Sequence, residues 1–205
     1  MLDKHVVPLI KPPLTRFAHV LHKHSIKADH ITLAGFAIGL LCVLVLSLKM
    51  YWLALILLLL NRLCDGLDGE LARLQAPTDA GGFLDITLDF IFYAAFPLGF
   101  ALAEPANNAL PAAVLIASFV ATGASFLAFS SMAAKHEIAH PNFAYKGFYY
   151  LDGLAEGTET ILCFIVMCLL PGHFALIAWV FAAVCVFTAV NRVVFGYLTL
   201  KKYAS

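Results

Sequence analysis

Six membrane-spanning helices, preceded by a helix lying along the membrane surface, make up the all-α bundle that this sequence predicts. Composition is the first observation: 62% of the 205 residues are hydrophobic and the mean hydropathy is +0.89. That is more apolar surface than a soluble domain with a polar coat can hide. The second is length. Six apolar stretches, near residues 30–48, 51–72, 83–103, 110–134, 153–170 and 173–199, approach the ~20 residues that a bilayer core requires. The third is the one-sided placement of the basic residues. With six spans and the N-terminus inside, Lys4, Lys11, Arg16, Lys23, Lys27, Lys135, Lys146, Lys201 and Lys202 fall on the cytoplasmic side. Arg62, Arg73 and Arg192 lie towards it and only Lys49 lies outside, a strong positive-inside bias.

No internal repeat, low-complexity segment or linker interrupts the chain, so residues 1–205 are expected to form one domain. Residues 1–28 are its juxtamembrane segment and residues 30–200 hold the spans. The five cysteines, Cys42, Cys64, Cys163, Cys168 and Cys185, are odd in number and lie within spans. They are expected to be buried hydrophobes rather than disulfide partners. No cleavable signal peptide is expected, because the first long apolar run starts only near Ile31. The formal net charge of zero carries no signal for a nucleic-acid partner, and none is expected.

The N-terminal segment is too polar to span. From Leu14 to His24, Leu14, Phe17, Ala18 and Leu21 share a helical face, with Arg16, His19, His22 and Lys23 over much of the rest. This predicts an interfacial helix on an anionic leaflet, started after Lys11-Pro12-Pro13. His22 and His24 are two apart, diverge on a helix and are read as surface residues. Span one starts at Ala28-Asp29-His30-Ile31-Thr32, with Asp29 expected as N-cap and Thr32 able to bond back to its own helix. Gly35-x-x-x-Gly39 predicts close packing against an unspecified helix.

Span two ends in a charged stretch where Gly66 and Gly69 let a neighbour approach the backbone closely, and Arg73 is placed to meet a phosphate. Pro77, Thr78 and Asp79 mark the turn into span three, in which Pro97 is a candidate kink. Span four carries the small residues of a helix packed among helices: Thr122, Gly123, Ser125, Ser130 and Ser131. Residues 135–150 form a cytoplasmic loop with Lys135, His136, His140 and Lys146. Its aromatics Phe143, Tyr145, Phe148, Tyr149 and Tyr150 are expected to sit as an interfacial belt. Span five opens with Asp152, Glu156 and Glu159. The two glutamates, on one helical face, either bind substrate or meet water at the span's mouth. Span six contains Arg192 two turns from its end, where an arginine snorkels or pairs with an anion.

The chemistry concentrates between residues 64 and 89. Asp65 and Asp68 are i,i+3 and Asp85 and Asp89 are i,i+4, so each pair shares a helix face. Asp79 lies between the pairs. Carboxylates within membrane helices are costly and signal function. Four facing each other require cations between them. All-oxygen ligands suit Mg²⁺ or Mn²⁺, and four carboxylates can bridge two such ions. A salt-bridged structural cluster is the alternative, but Arg62 and Arg73 are too few to neutralise it.

The run Asp65-x-x-Asp68-Gly69-x-x-Ala72-Arg73, followed by Gly81-x-x-x-Asp85-x-x-x-Asp89, resembles the signature of the CDP-alcohol phosphotransferases. The match covers eight fixed positions, and the seven residues between Arg73 and Gly81 make a short link for that family. The resemblance implies a membrane enzyme of phospholipid biosynthesis, working as a homodimer. It would replace CMP on a CDP-lipid such as CDP-diacylglycerol with a small polar alcohol. It also implies that Asp65, Asp68 and Asp85 hold two divalent ions on the pyrophosphate. Asp89 would join them and take the acceptor's proton. Gly69, Ala72, Arg73, Thr78 and Gly81 would line the nucleotide site, with Thr78-x-x-Gly81 resembling the family's Ser/Thr-x-x-Gly at the cytidine. An amphipathic helix before the first span and an Asp29-x-x-Thr32 pair near the nucleotide resemble family features too.

Two rivals are a Mg²⁺-dependent membrane prenyltransferase and an ion-coupled transporter. The first would not need Gly69-x-x-Ala72-Arg73. The second would place its carboxylates near mid-membrane in two related halves, and no second half mirrors these. Lys135 and Arg192 are the candidate acceptor-binding cations. If they converge, the acceptor is itself phosphorylated or carboxylated. The site faces the cytoplasm, in the plasma or inner membrane if the chain is bacterial.

Overall fold

The computed structural model describes residues 3–136 and 155–203, and of residues 3–10 the backbone alone. Among these residues the chain is helical and contains no strand. The expectations for His140, Phe143, Tyr145, Lys146, Phe148, Tyr149, Tyr150 and Asp152 lie outside the described residues.

Helix α1 runs Asp3–Lys23, α2 Ala28–Ser47, α3 Tyr51–Gln75 and α4 Asp79–Ala103. Helix α5 runs Pro105–Lys135, α6 Gly157–Leu169 and, after a single 3₁₀ turn at Pro171–His173, α7 Phe174–Lys201. Four stretches are long and apolar enough to cross a membrane: Ala28–Ser47, Asp79–Ala103, Pro105–Lys135 and Pro171–Lys201. Helix α3 falls outside that set because its second half carries the charged stretch, and α6 because it has only 13 residues.

Two starts differ from the sequence expectation. Helix α1 runs through Pro12 and Pro13 instead of beginning after them. Both prolines are exposed, so their missing N–H groups leave nothing buried without a partner. In α2 the N-cap is Lys27, with no side-chain cap, and Asp29 sits in the first turn, where a carboxylate favours the helix dipole. Thr32 does bond back, donating to the Ala28 carbonyl at 3.2 Å.

Helix α2 packs against α3 and α4, α5 against α4 and α7, and α1 against α3. Close approach needs small residues. A Cβ on Gly35 would stand 2.8 Å from the Cβ of Cys64 on α3, and one on Gly39 would stand 2.7 Å from Phe92 Cδ2 on α4. The Gly-x-x-x-Gly pair thus seats one helix on two neighbours. The core is aromatic: Phe92, Phe96, Phe100, Phe164 and Phe174 are all buried. Phe164 of α6 stacks on Phe96 of α4 at 4.0 Å and meets Phe92, Tyr93 and Phe119 edge-on. Large apolar side chains such as Trp52, Ile56, Phe83, Leu110 and Leu176 cover the outside, the surface expected where lipid is the solvent. All five cysteines are free thiols.

Candidate active site

Helices α3 and α4 both pack against α2. Because helical spacing puts each aspartate pair on one face, the four acids come to one place. Asp65, Asp68, Asp85 and Asp89 line a cavity of about 20 Å³ with Thr32, Asn61 and Arg62. That is room for a water-sized body. Asp68 is buried, with 4% of its surface exposed. Among the described residues, no three acidic, imidazole or thiol groups stand close enough to grip one ion as placed.

A cleft of about 500 Å³ opens next to this cavity and shares Thr32, Asp68 and Asp85 with it. Asp68 and Asp85 therefore stand where the cleft meets the small cavity. Gly69, Ala72, Thr78 and Gly81, expected for a nucleotide, line the cleft. Asp29 and Thr32 line it too, as their resemblance to a family pair implied, and so do Lys27 and Gln75, which nothing in their spacing marked. Gln75 ties the cleft's back wall together: its Nε2 donates to the Ile26 carbonyl at 2.6 Å and its Oε1 accepts from Ala28 N at 3.2 Å. Thr78 caps α4 by accepting from Gly81 N at 3.0 Å. Ala76, which ends α3, has φ 70°, a left-handed conformation that costs a non-glycine residue about 1–3 kcal/mol.

Of the two arginines expected near the acids, one joins the cluster and the other does not. Arg62 reaches into the cluster. Its Nη2 lies 2.7 Å from Asp89 Oδ1 and its Nη1 lies 3.5 Å from Asp65 Oδ1. The Arg62–Asp89 pair joins residues 27 positions apart, which helical spacing does not show, and one arginine still leaves four carboxylates short of neutral charge. Arg73 is not among the residues lining the cleft. It bonds Glu70, which also accepts the Thr15 hydroxyl of α1 at 2.9 Å, and its guanidinium lies over Gly69. Gly66 provides a close approach as expected, and the neighbour is Leu14 of α1.

A third cavity, of about 460 Å³, is lined by Tyr93, Thr122, Phe126, Glu156, Thr160 and Arg192, among others. Arg192 donates to the Thr122 carbonyl at 3.3 Å and stands over the Phe126 ring. Lys135, at the exposed end of α5, is not part of the described lining. Tyr93 connects the sites: its ring borders this cavity while its hydroxyl accepts from Arg62 at 3.3 Å.

The family model for CDP-alcohol phosphatidyltransferases matches residues 26–190, from the end of the α1–α2 loop to the last third of α7. The chain belongs to the CDP-alcohol phosphatidyltransferase family. It is a CDP-alcohol phosphotransferase of phospholipid synthesis, which sets aside the transporter and prenyltransferase alternatives. The inner membrane protein YnjF of Escherichia coli strain K12 is 57% identical over 98% of both chains. With the apolar helices, this makes the phosphotransferase an integral membrane protein. An archaetidylinositol phosphate synthase of Pyrococcus horikoshii is 38% identical over 103 residues, 50% of this chain and 54% of the relative. The fold is that of the Mycobacterium tuberculosis phosphatidylinositol phosphate synthase solved with CDP-DAG bound. That likeness has a TM-score of 0.66 at 19% identity and covers 90% of this chain and 93% of the other. The same mycobacterial enzyme solved with manganese and citrate gives a TM-score of 0.64, also at 19% identity, covering 90% and 88%.

Proposed function

We propose that this enzyme moves the phosphatidyl group of a CDP-lipid such as CDP-diacylglycerol onto a small alcohol that itself bears a phosphate, releasing CMP. One observation carries the reading: the roomy cleft is lined by Asp68 and Asp85, which also line the small cavity with Asp65 and Asp89. A nucleotide seated in the cleft would direct its pyrophosphate at the carboxylates. Gly69, Ala72, Thr78 and Gly81 offer it a wall without bulk, and Arg73 lies one helical turn from Gly69, within a side chain's reach.

Carboxylates facing a pyrophosphate repel it, so the donor set fits hard divalent cations, two of Mg²⁺ or Mn²⁺, held by Asp65, Asp68, Asp85 and Asp89. The CDP-DAG and manganese of the mycobacterial structures support both ligands. Bound there, such ions supply charge neutralisation at the phosphates. The protein's own residues do the rest. Asp89 takes the proton of the acceptor hydroxyl; the freed oxygen attacks the lipid-side phosphorus, the bond to CMP's phosphate breaks, and CMP departs with that electron pair. The acceptor enters by the third cavity, whose lining residue Tyr93 hydrogen-bonds Arg62 beside Asp89, and reaches Asp89 from that side. Arg192 receives its phosphate, with Lys135 at the cavity's approaches. The inositol phosphate product named for the Pyrococcus relative supports an acceptor of this kind. The same reading counts α3 and α6 as spans, giving six, lays α1 along the cytoplasmic leaflet and faces the site inward.

The test is product analysis. Purified enzyme, CDP-diacylglycerol and Mn²⁺ are incubated with glycerol 3-phosphate, an inositol phosphate, serine or a neutral polyol, and lipids are separated by thin-layer chromatography. A new phospholipid with a phosphorylated acceptor is the expected result. Turnover that survives thorough chelation, or a product only with a neutral alcohol, would refute the respective half.

A further inference from the structure

Arg62 meets Asp89 across two helices, and its surroundings are built. Its side chain is 14% exposed. Nε donates to Asn61 Oδ1 at 2.8 Å, and Asn61, itself buried, donates from Nδ2 to the Gly35 carbonyl of α2 at 2.8 Å. Nη1 donates to the Tyr93 hydroxyl, and the guanidinium lies over the Phe92 and Tyr93 rings at 5.2 and 5.4 Å. Three helices thus fix one buried guanidinium: α2 through Asn61, α3 through the backbone, α4 through the two rings. What remains of its fork points at Asp89 and Asp65.

A buried arginine this constrained is not a flexible counter-ion. Its planar donors hold a carboxylate in one orientation, which a lysine's point charge does not. Asp89 has one oxygen, Oδ1, engaged by Nη2. Tyr93 is a further hydrogen-bond partner of the same carboxylate, so Asp89 is held from α3 and from its own helix. The positive charge also sits in the space where four carboxylates would otherwise repel each other.

We propose that Arg62 is a resident cation of the aspartate cluster and a positioning residue for Asp89. It orients the carboxylate that accepts the acceptor's proton, and it tempers how strongly the cluster draws divalent ions. The proposal presupposes the phosphotransfer function above. It makes two predictions of opposite sign, which a merely structural arginine does not.

The test uses the full-length enzyme in detergent, with wild type, Arg62→Gln and Arg62→Lys. Mn²⁺ affinity is measured by electron paramagnetic resonance without substrate, and kcat and KM for CDP-diacylglycerol are measured separately. In Arg62→Gln the lost positive charge should tighten Mn²⁺ binding by about tenfold or more. The loosened Asp89 should lower kcat by roughly 10²-fold, the order that an ångström of misplacement costs. KM for the CDP-lipid should stay near the wild-type value. Arg62→Lys keeps the charge and loses the fork, so Mn²⁺ affinity should hold while kcat still falls by about tenfold. Unchanged or weaker Mn²⁺ binding in Arg62→Gln overturns the proposal. So does wild-type kcat in Arg62→Lys, which carries the test alone if the glutamine variant does not fold. Should the wild type bind no Mn²⁺ at all, it is the function proposed above that fails.

Discussion

Thr15 on the N-terminal helix donates its hydroxyl to Glu70 on α3, 55 residues away, and Glu70 in turn holds Arg73. Helix α1 is thereby wired to the arginine of the family signature. Leu14, seated on Gly66 one turn earlier, fixes the register of that contact. Thr15→Ala should therefore act at a distance. Losing one hydrogen bond to a charged group, about 1.5–3 kcal/mol at most, should raise KM for the CDP-lipid several-fold with little change in kcat. Thr15→Ser should restore the wild-type value. Steady-state kinetics against CDP-diacylglycerol decide it, and an alanine variant with unaltered KM would leave α1 as packing only.

Asp68 and Asp89 should part company when each is replaced by asparagine. Asp68 is buried at the junction of cleft and cavity. Its loss should abolish turnover and weaken Mn²⁺ binding by at least the ~10–100-fold that a lesser, outer-shell change costs a metal site. Asp89→Asn should lower kcat far more than it weakens CMP or CDP-lipid binding. Titrating Mn²⁺ and CMP against both variants separates the roles. Equal losses in binding would make Asp89 chiefly a ligand.

Gln75 closes the cleft's wall with two hydrogen bonds to the loop before α2. Gln75→Leu leaves the Ile26 carbonyl and the Ala28 N–H without that partner, at about 1–3 kcal/mol per buried group. Faster amide exchange at the start of α2 and a lower unfolding temperature are expected. Exchange confined to the end of α3 would show that the bridge supports α3 alone.

Gly39 and Gly82 should respond oppositely to alanine. A methyl at Gly39 meets Phe92 at 2.7 Å and Asn61 at 3.0 Å, whereas one at Gly82 meets nothing within 4 Å. Gly39→Ala should cost about 1–3 kcal/mol by overpacking, and Gly82→Ala should be close to neutral. Thermal unfolding of both variants in detergent checks the pair.

Arg192→Gln, titrated with acceptor at saturating CDP-lipid, should raise the acceptor's Michaelis constant and leave CDP-lipid affinity intact. Because Glu156 lines the same cavity, Glu156→Gln is a useful companion. No change in either constant for Arg192→Gln would return that arginine to holding the Thr122 carbonyl.

The four aspartates were legible because their information is local: i,i+3 and i,i+4 spacing fixes a shared face whatever the tertiary structure. The helix turn at Pro77-Thr78-Asp79 was legible for the same reason, and Thr78 does cap α4. Arg62 was not, since what it meets depends on how α3 rolls against α4. Gln75, Lys27 and Thr15 were hidden likewise, each acting across a helix pair. Asp29 misled because its residue type favours a cap, yet it sits inside the first turn and faces Gly81 of α4, whose Cβ position lies 3.1 Å from its carboxylate. Pro12 and Pro13 misled because a proline commonly marks a helix start, yet α1 runs through both.

Helix α6 has 13 residues, about 20 Å at 1.5 Å per residue, against a hydrocarbon core of ~30 Å. Lipid alone gives so short a segment a weak hold. Phe164 supplies another. Its ring fills a socket whose walls are Phe92, Tyr93 and Phe96 of α4 and Phe119 of α5. All four come earlier in the chain. During synthesis, which proceeds from the N-terminus, the residues of the socket leave the ribosome before the plug, and the shortest of these α-helices arrives at a place already made for it.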